Sequence, residues 1–260
     1  MANNLSGMLW IEFRKALRSG VPLWTALGSL FLPLGIAFLI FVSRNPEISR
    51  KLGLIGAKAD LLKYAATDWP VYLVLFSQIM AAGGFFLFIL VISWVFGREF
   101  SDGTVKDFMA VPVARSSIIL AKFIIVAAWC GMLTLVIVTA GLVMGSLINL
   151  PGGSADGFLQ GGKGILTTAL LTIVVVMPFA FLASAGRGYL LPMGLAVLTL
   201  MMANLAAVLG WGEYFPWAIP GLATMGKGSL PAFSYWIVLL TGLGGMFATF
   251  LWWKFADQNR

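Results

Sequence analysis

Histidine is missing altogether from the 260 residues, and cysteine occurs once, at Cys130. The first absence removes imidazole ligands and imidazole acid–base chemistry. The second rules out an intramolecular disulfide and a cysteine-built metal site. Charge is scarce too: Asp, Glu, Lys and Arg make up 10% of the chain, where soluble globular chains carry about a quarter. What remains is apolar, with 60% hydrophobic residues and a mean hydropathy of +0.96. That is the composition of an integral membrane protein. The formal net charge of +7 is spread between apolar runs and forms no continuous basic stripe, which suits anionic lipid headgroups and cytoplasmic loops and speaks against nucleic acid. The opening residues lack the basic, apolar and small-residue order of a removable signal peptide.

The hydrophobic pattern predicts an all-α membrane domain over residues 1–260, with six spans behind an N-terminal surface helix. Over residues 5–20, Leu5, Met8, Leu9, Phe13, Ala16 and Leu17 share one helical face. Glu12, Arg14, Lys15 and Arg18 are expected away from it, so the helix reads as lying in the bilayer interface. Six uncharged runs follow, near 21–42, 71–96, 123–150, 165–185, 189–211 and 232–253, each near the ~20 residues a spanning helix needs. Residues 43–70 mix apolar and basic side chains and are expected to form a second surface helix. Residues 212–231, with Tyr214, Phe215, Trp217, Pro216 and Pro220, read as short helical pieces at an interface or dipping back in. An even span count puts both termini on one side. With that side cytoplasmic, ten basic residues lie inside and seven outside, which supports location in the cell's inner membrane with cytoplasmic ends.

None of these runs contains Asp, Glu, Lys or Arg, which disfavours a proton-driven pump. Of the polar residues they do contain, Gln78 and Asn204 are the candidates for a substrate path, although such groups serve more often as helix-to-helix contacts. Gly141 and Gly145, and Gly242, Gly244 and Gly245, are read as close helix packing. The stretches 157–164 and 221–228 each match the Gly-x4-Gly-Lys part of a phosphate loop, but both carry Gly where Ser or Thr should meet magnesium, and neither follows a strand. No nucleotide site, cofactor site, metal site or catalytic constellation is therefore expected on this chain.

The densest charge sits in the interlude 97–122, with Arg98, Glu99, Asp102, Lys106, Asp107, Arg115 and Lys122. Ser101 and Asp102 are expected to cap a short helix through Ala110, stopped by Pro112, with Val105, Phe108 and Met109 on one face. Ser116 or Ser117 is expected to cap the next span. The sequence Phe96-Gly97-Arg98-Glu99, then Asp102-Gly103-Thr104-Val105-Lys106, then Pro112, Arg115 and Lys122, resembles the signature of ABC-2 type permeases. The surface helix, the six spans and the segment 215–221 are similar to the branch that includes bacitracin-resistance and lantibiotic-immunity permeases.

The resemblance implies a membrane subunit of an ATP-driven exporter, paired with a second permease copy or a paralogue. ATP and magnesium would bind a separate ATPase. It also implies that this loop is a coupling helix, with Glu99, Gly103, Thr104 and Phe108 as coupling residues, Arg98 and Lys106 as polar contacts, and Asp102, Val105 and Met109 beside them. Read from physics alone, the loop helix either is placed to be pushed by a cytosolic partner or simply rests on the membrane, and the chain is also compatible with a passive channel or with a membrane anchor in a resistance complex. The cargo class is an amphipathic or apolar compound such as a peptide antibiotic, a drug or a lipid.

Overall fold

The computed structural model describes residues 2–44, 68–104, 113–224 and 230–255. Helix α1 (Ala2–Arg18) leads to α2 (Val21–Ser29) and α3 (Phe31–Arg44). Then come α4 (Trp69–Ile79), a π turn (Met80–Gly84), α5 (Phe85–Ser101) and α6 (Arg115–Leu147). Helices α7 (Ala155–Val176), α8 (Pro178–Ala185) and α9 (Leu190–Val208) follow. A 3₁₀ turn (Gly212–Tyr214), the single turn α10 (Ile219–Leu222) and α11 (Ala232–Phe255) complete the described residues. Among the described residues, six helical stretches are long and apolar enough to cross a membrane: Val21–Val42, Trp69–Ser101, Arg115–Leu147, Ala155–Ala185, Leu190–Val208 and Ala232–Phe255. Each overlaps one of the six runs read from the sequence. The surface helix expected between residues 43 and 70 falls mainly on 45–67, outside the described residues.

The second, third and fourth helical stretches run well beyond the uncharged runs. The run that begins at Phe123 is the middle of α6, which starts at Arg115 with Ala114 as its N-cap. Neither Ser116 nor Ser117 is therefore the cap that the sequence suggests, because both already lie in the first helical turn. Thirty-three residues make a helix roughly 50 Å long, against a hydrocarbon core of about 30 Å. Its ends therefore protrude, and charges can sit on it without entering lipid.

Three of the spanning stretches are broken, each for a local reason. The chain turns at Leu30 between α2 and α3. At Met80–Gly84 the helix loosens into a π turn; Gly83 has no Cβ, and Leu32 of α3 fills that space. Between α7 and α8, Pro178 has no N–H to give the helical ladder. The turn it opens leaves Val175 O to accept a hydrogen bond from Trp217 Nε1 at 2.8 Å. That bond draws the segment after α9 into the bundle, where Ala218, Ile219 and Pro220 are buried. The segment is the set of short helical pieces that its prolines and aromatics suggested.

Helices α4 and α5 form the centre, with α7 and α8 packed along them and α11 behind. The glycine patches serve this packing inside the chain. Tyr72 Oη donates to Gly141 O at 2.7 Å, and the faces of Gly141 and Gly145 lie against Phe76 and Trp69. Gly242 rests on Val174, and Gly245 on Pro178. A methyl group at Gly145 would fall 2.5 Å from the Trp69 ring. Gly145→Ala is therefore expected to destabilise by about 1–3 kcal/mol, read as a lower melting temperature in detergent. Gly244→Ala, where a methyl would meet open space, should change it little.

Candidate functional site

The site is built where α1, α5 and α6 meet. Lys122, two turns into α6, is 1% exposed. An ammonium has three donors, and each finds an acceptor: Glu99 Oε1 at 2.9 Å, Glu12 Oε2 at 3.3 Å and Val95 O at 2.9 Å. Lys15 Nζ lies 3.0 Å from both Glu12 Oε1 and Glu99 Oε1. Both glutamates are buried. Among the described residues, the two carboxylates and two ammonium groups of this cluster sum to zero. Glu99 Oε2 is buried with no hydrogen-bond partner among the described residues.

Pairing is what permits this burial, since an isolated charge removed from water costs several kcal/mol. An apolar cluster of the same shape would hold the helices at least as well. What the ions add is register: Glu12 and Glu99 must stand opposite Lys122 for any of the three to be buried. This corrects the face assigned to α1. Met8, Glu12 and Ala16 are its buried stripe, one turn apart, and Glu12 lies in the middle of it. Trp10, Phe13 and Leu17 point outward.

The start of the loop is fixed by the same residue. Ser101 is the last residue of α5 and Asp102 its C-cap, so these two end a helix where the sequence suggested that they begin one. Gly103 takes φ +70°, its N–H donating to Phe100 O at 3.3 Å while Thr104 N donates to Glu99 O at 3.0 Å. This is the Schellman arrangement, which needs the left-handed conformation that glycine adopts without strain. Glu99 thus holds Lys122 with its side chain and the outgoing loop with its carbonyl. Arg98 Nε pairs with Asp102 Oδ2 at 3.1 Å, and its guanidinium lies over Trp94. Gly97 lies directly against the backbone of Gly188 in the α8–α9 turn.

The far end of the loop is tied as well. Arg115 Nη1 donates to Trp253 O at 2.9 Å, meeting one of the carbonyls that the end of α11 leaves open. Trp253 in turn donates from Nε1 to Ser184 Oγ at 3.0 Å, and its ring meets Phe100 edge-on. Of the candidate coupling residues, Arg98, Glu99, Asp102, Gly103 and Thr104 are therefore gathered at the root of the loop. Val105, Lys106, Phe108 and Met109 lie outside the described residues.

Gln78 and Asn204, far apart in sequence, line one cavity of about 190 Å³ with Ala82, Leu200, Trp217 and Leu222. Asn204 Nδ2 donates to Leu200 O at 2.9 Å. The cavity opens beside the π turn, a kind of helix irregularity frequent at functional sites. Gln78 lies 21 residues before Glu99 on the α4–α5 helix, which is roughly 30 Å of helix. Residues 157–164, the first stretch resembling a phosphate loop, lie within helix α7 and form no loop. Part of the second, 225–229, lies outside the described residues.

Residues 8–204 match the family described as ABC-2 family transporter protein, three-quarters of the chain. The chain belongs to that family. It is also 25% identical, over 194 residues, to the bacitracin transport permease protein BCRB of Bacillus licheniformis, an alignment covering 74% of this chain and 90% of that one. No solved structure matches it. As an ABC-2 permease it is a multi-pass membrane protein and a transport subunit, of a family that works with an ATPase subunit. Glu12 and Lys15 were not among the residues that the sequence singled out. The available signal was the i, i+4 spacing of Met8, Glu12 and Ala16, which sets one acid in an apolar stripe.

Removing one charge strands the others. Lys122→Met is expected to destabilise by about 3–5 kcal/mol. Glu99→Gln with Lys122→Met, which leaves Glu12 and Lys15 balanced, should cost less than the sum of the two single changes. A double-mutant cycle of detergent denaturation checks it.

Proposed function

We infer that this permease is the membrane half of an ATP-driven exporter in the inner membrane, with both termini cytoplasmic, acting with a second permease copy or a paralogue. The observation that carries the reading is the ion cluster at the root of the loop between α5 and α6. It ties the loop to α1, α5 and α6 at once, while Arg115 ties the other end to α11. A partner pressing on residues 102–114 would move four helices together.

In this reading ATP and magnesium belong to the separate ATPase. Val105, Phe108 and Met109 supply the contact with it, and Arg98 and Lys106 supply polar contacts, with Asp102 and Thr104 serving beside them. Glu99 and Gly103 serve by holding the loop, since Glu99 is buried. The cavity with Gln78 and Asn204 belongs to the substrate path, and its two amides among aliphatic and indole walls suit an amphipathic or apolar cargo. The similarity to a protein named for bacitracin transport supports a peptide antibiotic within that class.

Phe108→Ala is expected to leave insertion and stability unchanged while lowering ATPase binding and transport at least tenfold, measured in proteoliposomes with the purified ATPase. Undiminished binding and export by that variant would refute the assignment of the loop. Flux without any ATPase would favour a passive channel.

A further inference from the structure

A second cavity flanks the buried stripe of α1, beginning at Ala16 one turn beyond Glu12 and reaching round the helix to Phe13 and Leu17. It is a groove of about 250 Å³ between α1 and α6, walled by Phe13, Ala16, Leu17, Pro22, Ala128 and Met132 among others. Almost nothing polar faces into it, so it offers water none of the partners that an ordered water needs. On the same two helices Trp10, Ile124 and Leu135 are exposed apolar side chains, which suit a hydrocarbon surrounding. Directly after the groove residues Phe13 and Leu17 come Arg14 and Arg18, both exposed. They stand about 100° further round the helix, on the polar side of a helix lying in the interface. Arg14 is steadied over the Trp10 ring, 5.3 Å from its centre.

We propose that this groove and these two arginines form a binding site for one anionic phospholipid, with an acyl chain in the groove and the phosphate on Arg14 and Arg18. The apolar walls select the chain, and the paired positive charges select the headgroup. The site uses membrane residence only and does not depend on what the permease transports. It has a mechanical consequence, because α1 is gripped at two adjoining faces. Its inner stripe brings Glu12 to Lys122, and a lipid wedged under Phe13 and Leu17 holds that stripe in register.

The test uses the full chain purified in detergent and titrated with dioleoyl phosphatidylglycerol, dioleoyl phosphatidylcholine or glycerol 3-phosphate, with bound molecules counted by native mass spectrometry. Phosphatidylglycerol should be retained roughly tenfold or more tightly than phosphatidylcholine, since each arginine near the surface contributes about a fivefold preference. Arg14→Gln with Arg18→Gln should abolish that preference, and Ala128→Trp, which fills the groove from an exposed position, should lower retention of both lipids. Both variants alter surface side chains, and monodisperse elution verifies their folding. Equal retention of the two lipids, or binding unchanged in either variant, would overturn the site. So would displacement of the lipid by glycerol 3-phosphate alone, or an Ala128→Trp effect on oligomeric state in place of lipid retention, which would assign the groove to a second copy of the chain.

Discussion

A lysine ammonium taken wholly out of water must be met on every side by acceptors, and Lys122 is such a group. That requirement organises one end of the molecule. It brings Glu99 from the end of α5 and Glu12 from α1, and it fixes α6 so that Val95 O can take the third hydrogen bond. The N-terminal helix is therefore part of the bundle, although half its surface faces outward. Met8, packed with Ile118 and Ala121 of α6, and Ala16, in the main core, bury the rest of its inner stripe.

The rest of that end follows from how α5 stops. The Schellman turn at Gly103 hands the chain from Glu99 into the loop, so the residue that holds the ion cluster also sets the direction of departure. Arg115, the first residue of α6, ties the returning chain to α11. In the proposed reading, force delivered to the loop passes through these fixed ends into α5. From there α5 and the π turn lead, over roughly 30 Å of helix, to the Gln78–Asn204 cavity.

The six spans were legible because long apolar runs in a charge-poor chain admit few alternatives. Gln78 and Asn204 were legible as polar exceptions, but their convergence depends on Trp217 reaching Val175 across the bend at Pro178, which no local pattern encodes. The ends of the helices were harder to place. Ser101, Asp102, Ser116 and Ser117 have the side chains of N-caps, and intrinsic capping preference assigns them that role. Tertiary pairing of Glu99 and Lys122 instead carries α5 to Ser101 and starts α6 at Arg115. Glu12 was assigned to the wrong face because amphipathicity sorts residues by charge and takes no account of a partner 110 residues away.

In the proposed reading α1 and the loop move as one body through the ion cluster, in which Lys15 holds Glu99 and Glu12 holds Lys122. The direct measurement is cargo moved per ATP hydrolysed in proteoliposomes carrying Glu12→Gln, with ATPase binding monitored alongside. The expected result is that the ATPase still binds and hydrolyses ATP while transport per ATP falls several-fold, although residue 12 lies about 90 positions from the loop. Transport per ATP equal to that of the native protein, in a folded variant, would contradict it.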